Sequence, residues 1–454
     1  MAFDFNKTPL RIAAFFPSNA TVLDFAVYGY CQMSCFFCFA NLNRDVHDKS
    51  LHKQNTLEAF FHQVELAEAT QGSSVGYFLR HRYPSTLSNT TDPFQREEKK
   101  HRVTEAILRW AKAGRYPIQI LTRGNVLFEE FDRYRDLIVP GKDAVYISIT
   151  HESDASRKKT EPGALDIESR WSLAKLLTDS GIPVTIACNP YLKEWVPDKL
   201  RFVERCAAVN AEGIYCENLH FTANQMEVVP KHFERYLAHG TPLAKVIDIE
   251  MREWSEACHA AGVRFCPTAS YNGIYGPLVD HDLMLSKQFG GKTWGIQHEM
   301  QRRCLEVSSE TGEQFVAFTW RDIEAALHSL GVVNEVMRTN DLRGNFSIVS
   351  DENAAYRAVL GPDAKFFEIL RYFWNHPWDN QRMVWQSRQF RIPRLADGCY
   401  PLSREDDLIG VYDSEASILT DRVFDAAEFN FDTAATLNSI TKGLDDHGKV
   451  LMPV

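Results

Sequence analysis

The stretch Tyr28-Gly29-Tyr30-Cys31-Gln32-Met33-Ser34-Cys35-Phe36-Phe37-Cys38-Phe39-Ala40 places three cysteines in the spacing C-x3-C-x2-C. Thiolates are soft ligands, and clustered ones suit iron–sulfur or zinc. The next cysteine in the chain is Cys188. A closed structural zinc site takes four ligands, whereas a cubane cluster held by three cysteines keeps one iron open. Two plainer readings stand beside this one. The spacing i, i+4, i+7 also puts three thiols on one face of a helix. Zinc with His47 or His52 as fourth ligand is the other.

The segments around this stretch alternate. Thr21–Tyr28 reads as a strand feeding the cysteines, and Asn55-Thr56-Leu57-Glu58 resembles a capping box that opens a helix with Leu57, Phe60, Phe61, Val64 and Ala67 at helical spacing. Strands are expected at Ser73–Leu79, Pro117–Thr122, Ala144–Thr150, Ile182–Ala187, Ile214–Leu219 and Val263–Cys266. Helices are expected between them at Arg96–Ala113, Phe128–Val139, Asp166–Ser180, Pro197–Asn210 and Val246–Ala261. Such strand–helix pairs with short apolar strands mean a parallel sheet, here a partial or complete (β/α) barrel over 1–275. Chemistry in barrels sits at the C-terminal ends of the strands, where the cysteine loop falls. From about residue 275 the rhythm breaks, with short helices expected at Trp320–Leu330 and Ala364–Trp374; residues 276–454 read as a mixed region that caps the barrel or binds a substrate or partner.

Composition narrows the class. The chain has 454 residues, 44% of them hydrophobic and 24% charged, which is ordinary for a globular protein with ample material for a core. The first residues show no charged region followed by an apolar run, so neither a signal peptide nor a membrane span is expected, and ten cysteines then suggest the cytoplasm and metal ligation or burial rather than disulfides. The net charge of −10 is uneven: from Pro401 to Val454 there are 4 Lys+Arg against 11 Asp+Glu. The rest is near enough to neutral to permit a local basic surface.

Further segments carry polar groups at expected strand ends. Ser88-Asn89-Thr90-Thr91-Asp92-Pro93-Phe94-Gln95-Arg96-Glu97-Glu98 lies before a helix, with Asp92 as cap and Pro93 at its first position. Leu121-Thr122-Arg123-Gly124, Ser148-Ile149-Thr150, Glu161-Pro162, Arg170 and Gly181-Ile182-Pro183-Val184 with Asn189-Pro190 follow in order.

The series resembles the spore photoproduct lyase and DNA repair photolyase-like branch of the radical S-adenosylmethionine (SAM) superfamily, over roughly residues 22–230. The resemblance rests on the three cysteines followed by Phe39-Ala40, the T-D-P-F-Q…E segment, the strand ends at Thr122-Arg123 and Ser148-Ile149-Thr150, and the E-P…R…G-I-P-V…P order. It implies a 4Fe–4S cluster on Cys31, Cys35 and Cys38 whose open iron chelates SAM. One electron then splits the sulfonium and releases a 5′-deoxyadenosyl radical. Phe37 would lie near the adenine, Thr90, Thr91 and Asp92 at the amino-acid end of SAM, Arg123 where the branch often has a lysine near the SAM carboxylate, and Ser148 by SAM or its ribose. A reductase such as flavodoxin or ferredoxin would supply the electron.

One departure matters. The lyase returns a hydrogen atom from a cysteine near the T-D segment, and here Ser88, Asn89, Thr90 and Thr91 occupy that neighbourhood. The substrate that the resemblance implies is a native or modified pyrimidine of DNA, and the missing cysteine suggests modification or isomerisation as readily as repair. A peptide or small metabolite is the alternative within the superfamily. A non-catalytic zinc- or cluster-binding nucleic-acid-binding protein is the alternative outside it.

Candidate substrate contacts are Glu217, Asn218 and His220 after the sixth strand, Tyr271, Asn272 and Tyr275 after a later one, and Arg388 and Arg391 in a run of four arginines with Trp385 and Phe390. Arginines neutralise phosphates and aromatics stack on bases, although a solvated amphipathic hairpin fits the same run. Cys216, Cys258, Cys266 and Cys304 are candidates for an auxiliary cluster, against the commoner reading of buried thiols.

Overall fold

A computed structural model describes residues 10–12, 23–38, 56–70, 74–88, 90–218, 253–254, 256–267, 296–319, 321–322, 325–326, 390–391 and 408–415. Eight strands form one sheet in the order β1-β2-β3-β4-β5-β6-β7-β8: Leu10–Ile12, Leu23–Phe25, Ser85–Leu87, Ile118–Thr122, Ala144–Ser148, Val184–Tyr191, Gly213–Asn218 and Arg264–Pro267. β1 pairs antiparallel with β2, and the seven strands β2 to β8 run parallel. Spatial order follows chain order, so every right-handed crossover steps the same way and the helices collect on one face. That leaves a concave face inside, as in a (β/α) barrel, although among the described residues β8 and β1 do not pair and the sheet stays open.

The strands alternate accordingly. Val145, Ile147, Val184, Ile186 and Ile214 point into the large helix-side core, while Ala144, Tyr146 and Ala187, with Leu121 and Tyr215, form a small cluster on the opposite face. Ser148 and Arg123 share the parity of that second face. The helix side is dominated by aromatics: Trp110 lies against Phe25, Phe60 and Tyr116, and Trp254 against Tyr191, Phe202 and Phe265.

Helices among the described residues include α1 (Thr56–Ala69), α2 (Ser74–Arg80), α3 (Glu98–His101), α4 (Val103–Gly114), α5 (Asn125–Glu129), α6 (Phe131–Tyr134), α7 (Asp154–Thr160), α8 (Ile167–Asp179), α9 (Lys199–Ala208) and α10 (Ile296–Thr311). Asp166 and Asp198 cap α8 and α9 by accepting from Ser169 N–H and Arg201 N–H. Gly181, at φ +75°, follows the end of α8 in the left-handed conformation.

Three expectations change. Of the strand expected at 73–79, the described residues 74–79 are helical: Val75, Phe78 and Leu79 recur at i, i+3, i+4, and α2 packs them against the core. The strand there is the short Ser85–Leu87, too brief and polar to show an alternation. The helix over 96–113 breaks at Arg102 (φ 53°, ψ 31°), because the Glu98 carboxylate turns back to accept Thr104 N–H and Glu105 N–H, each at 2.9 Å, and so caps α4. The helix over 128–139 becomes α5, α6 and a 3-10 turn at Arg135–Leu137.

Farther along, β9 (Phe315–Thr319), β10 (Phe390–Arg391) and β11 (Leu408–Asp413) form an antiparallel sheet in the order β10-β11-β9. The helix expected at 364–374 lies outside the described residues. Among the described residues no helix is long and apolar enough to cross a membrane.

Candidate functional site

The cysteine segment follows β2 as an irregular loop, not a helix, so the three thiols do not share a helix face. Cys31 and Cys35 are buried and Cys38 is half-buried, together with Met33, Phe37, Ala164, Leu192 and Trp195. The loop is held from two sides. On one, Gln95 donates Nε2–H to Tyr30 O and accepts Gln32 N–H at its Oε1, both at 2.7 Å. Gln32 and Glu97 exchange two more bonds of 3.1 Å. Behind them the Tyr28 hydroxyl donates to Glu98. On the other side Phe36 N–H donates to Thr160 O and Gly163 N–H to Met33 O, each at 3.1 Å. A Cβ on Gly163 would meet Gln32 O at 1.9 Å, so the two backbones approach as only glycine allows. The T-D-P-F-Q…E segment and the E-P-G segment are thus two jaws on the loop.

Asp92 caps no helix, because 92–97 is a turn and α3 begins only at Glu98 with Glu97 before it; its carboxylate instead holds that turn, accepting Phe94 N–H at 2.8 Å, and it does more. Its carboxylate also accepts the Thr122 hydroxyl at 2.8 Å and Arg123 N–H at 2.6 Å, which binds the ends of β3 and β4 together. Thr91 donates its hydroxyl to Tyr28 O at 3.1 Å and lies 2.7 Å from the Ser88 hydroxyl. Thr90 is buried, and its hydroxyl has no hydrogen-bond partner among the described residues. Ser148 ends β5, and its carbonyl accepts Arg170 Nη1–H at 2.8 Å.

Arg123 is the cation of the site. Its Nε–H donates to Glu161 at 3.3 Å, its guanidinium lies 5.7 Å from the centre of the Phe37 ring, and its side chain is 18% exposed. Phe37 itself packs edge-on to Phe36 and tilted against Trp195, at 5.3 and 5.6 Å between centroids. Glu161 is fully buried. Burial works to raise its pKa, but Arg170, Arg123, His151 and the Thr150 hydroxyl outweigh that and hold it down at about 2. His151 stacks on Trp195 at 4.1 Å and lies 2.7 Å from the Thr150 hydroxyl and 3.1 Å from that of Thr160. Burial lowers its pKa to about 4, so it is neutral near pH 7.

Burial pushes the Cys31 thiol up to about 12, with Asp92 and Cys38 adding to the shift. Cys35 is also raised by burial; Arg123 opposes this, while Glu161, Cys31 and Cys38 reinforce it. Three thiols close enough to repel one another as thiolates need a positive centre to ionise together, and a bound metal supplies one. Among the described residues no group of three or more His, Cys, Asp or Glu is placed to hold a single metal ion. A cubane spreads its ligands over separate irons and needs no such convergence. The soft donor set, the buried loop, the unpartnered Thr90 hydroxyl and the Arg123 Nη groups, which make no hydrogen bond among the described residues, fit an iron–sulfur cluster carrying a small polar ligand with a carboxylate.

The structure therefore brings Cys31, Cys35, Cys38, Phe37, Thr90, Thr91, Asp92, Arg123 and Ser148 to one end of the sheet. Glu217 and Asn218 close β7 at the same end. Arg391 lies in β10 of the small sheet, opposite Val411. His47, His52, Tyr271 and Arg388 lie outside the described residues. Cys216, Cys258 and Cys304 belong to the helix-side hydrophobic core, as Cys188 and Cys206 do. Sequence reading missed His151 and Trp195, and read Gln95 and Glu161 only as parts of a pattern. A glutamine just after Asp92-Pro93-Phe94 was visible, but nothing local links it to a loop more than sixty residues earlier.

No family model matches the chain. Uncharacterized proteins of Mycobacterium bovis and Mycobacterium tuberculosis are 26% identical to it over 219 residues, which is 44% of this chain and 61% of theirs. The chain thus matches less than two thirds of the length of these curated relatives. Among solved structures it is similar to spore photoproduct lyase complexed with dinucleoside spore photoproduct (13% identity, TM-score 0.39, 56% of this chain and 76% of that one). It is also similar to Streptococcus suis SuiB bound to S-adenosylmethionine (11%, TM-score 0.34, 53% and 49%). These likenesses are distant, and the function is argued below from the site.

Proposed function

We propose that the chain is a radical SAM enzyme in which Cys31, Cys35 and Cys38 hold a 4Fe–4S cluster with SAM as its partner. The observation that carries this is the clamped three-cysteine loop on the C-terminal end of the first parallel strand, with the Arg123 guanidinium beside it. A cluster held by Cys31, Cys35 and Cys38 would supply one-electron reduction of the SAM sulfonium, the chemistry that opens the way to taking hydrogen from a substrate.

The chain's own residues have separable tasks. Gln95 and the segment 160–163 fix the loop backbone, so three thiols are presented without an ordering cost at loading. Arg123 offsets thiolate charge and offers its Nη donors to a carboxylate, a two-point grip that a lysine lacks. The Thr90 hydroxyl, buried without a partner among the described residues, is satisfied by a polar ligand group. Phe37, Trp195 and Leu192 keep water from the loop.

The substrate we propose is a pyrimidine of DNA, native or modified. This rests on the sequence resemblance and on the absence of a cysteine at 88–91, which favours rearrangement or modification as readily as repair. The test is 5′-deoxyadenosine release by protein purified without oxygen, reconstituted with iron and sulfide, reduced and given SAM, with and without thymine-containing DNA. Cys35→Ala serves as the control. Release that rises with DNA supports both parts. Release indifferent to plain DNA keeps the chemistry and moves the substrate to a premodified base, a peptide or a metabolite. No release despite about four irons per chain leaves a cluster-binding protein only.

A further inference from the structure

Glu161 contacts no thiol by any described hydrogen bond, yet it is fully buried at the end of α7, between the loop and the sheet. Its Oε2 accepts Arg170 Nη2–H at 2.5 Å and Arg123 Nε–H at 3.3 Å. Its Oε1 accepts the Thr150 hydroxyl, and His151 Nδ1 lies 3.8 Å away. Arg170 is anchored independently, donating to Leu165 O and Ser148 O at 2.8 Å each. Among the described residues Arg123 has no second side-chain anchor; beyond its backbone bond to Asp92, Glu161 is what directs its guanidinium toward Phe37, one of the two residues between Cys35 and Cys38.

A fully buried cation, Arg170, and a partly buried one, Arg123, thus share one carboxylate behind the cysteine loop. In so dry a region, charges act on a nearby anionic centre far more strongly than in water. We propose that Glu161 is a positioning residue that holds Arg123 beside the cysteine loop and, by offsetting Arg123 and Arg170, sets the charge against which a cluster on Cys31, Cys35 and Cys38 accepts its electron. This rests on the iron–sulfur reading of the loop.

The experiment is a midpoint-potential measurement by electron paramagnetic resonance on reconstituted full-length protein, with dithionite as the one-electron donor. Reduction adds one negative charge to the cluster and moves no proton. Glu161→Gln removes a neighbouring negative charge and shifts the potential in the positive direction at equal iron content. Arg123→Gln removes a positive charge and shifts it in the negative direction. Glu161→Asp keeps the charge and stays nearer to wild type than Glu161→Gln, whereas a merely structural role makes Asp disturb the site as much as Gln. A potential that is unmoved, or that moves negatively, in Glu161→Gln overturns the proposal while the iron–sulfur reading stands. Wild-type protein that takes up no iron overturns both. If Glu161→Gln does not fold, Arg123→Gln decides, and an unmoved potential there overturns the proposal.

Discussion

His151 shows what a single residue adds beyond chemistry. Its imidazole is buried, stacked on Trp195 and bracketed by two threonine hydroxyls. In the unfolded chain it takes a proton near pH 6.5, and in the fold only at about 4. Its contribution to stability is therefore complete above pH 6.5 and is lost as the pH falls to about 4, worth roughly 3 kcal/mol at 1.36 kcal/mol per pKa unit. Glu161 continues the trend: lowered to about 2 from 4.5, it contributes stability above pH 4.5 that disappears as pH falls through 2. Urea unfolding of His151→Gln across pH 7 to 4 is expected to show a flatter pH dependence than wild type. A slope equal to wild type would mean that His151 is already protonated in the fold. Asp92→Ala removes three accepted bonds, from Phe94 N–H, the Thr122 hydroxyl and Arg123 N–H. At about 1 kcal/mol or more for each buried group left unpaired, a loss of roughly 3 kcal/mol is expected in the same unfolding experiment.

At the scale of elements, the two jaws on the cysteine loop predict separable defects. Gln95→Ala removes the loop's bonds to Gln32 N–H and Tyr30 O, and Gly163→Ala drives a methyl into Gln32 O. Both variants are expected to keep the far-ultraviolet dichroism of the sheet and helices, because neither lies in a strand core, but to retain less iron after reconstitution and desalting. Equal iron retention would show that the loop needs no external clamp. The elements also show where local pattern fails. The sequence over 73–79 suggests a strand, and only the packing of Val75, Phe78 and Leu79 against the core shows the helical period of α2. The break at Arg102 depends on a carboxylate folding back from the preceding turn, which no periodicity records.

For the whole molecule, a cluster that binds the folded chain and not the unfolded one raises the unfolding temperature by mass action. Loaded protein kept without oxygen is expected to melt above the same protein stripped by chelator, and Cys35→Ala is expected to erase the difference. No difference for wild type would place the cysteines in a packing role.

The fold class and the candidate ligand set were legible in the linear chain because both are local. Repeated apolar strands and capped helices encode a parallel sheet within windows of ten to fifteen residues, and the spacing of Cys31, Cys35 and Cys38 lies inside one loop. The surroundings of those thiols were not legible, because they are assembled from afar. Gln95 reaches Gln32 across 63 residues, and Glu161 reaches Arg123 across 38. Such groups meet only where the parallel strands end side by side, and each alone looks like an ordinary polar residue after a strand. Folding decided that Asp92 ties two strand ends together, that Arg123 stands over the loop with its charge answered by Glu161, and that Cys216 and Cys258 pack in the core, since burial and ion pairing are properties of neighbours in space.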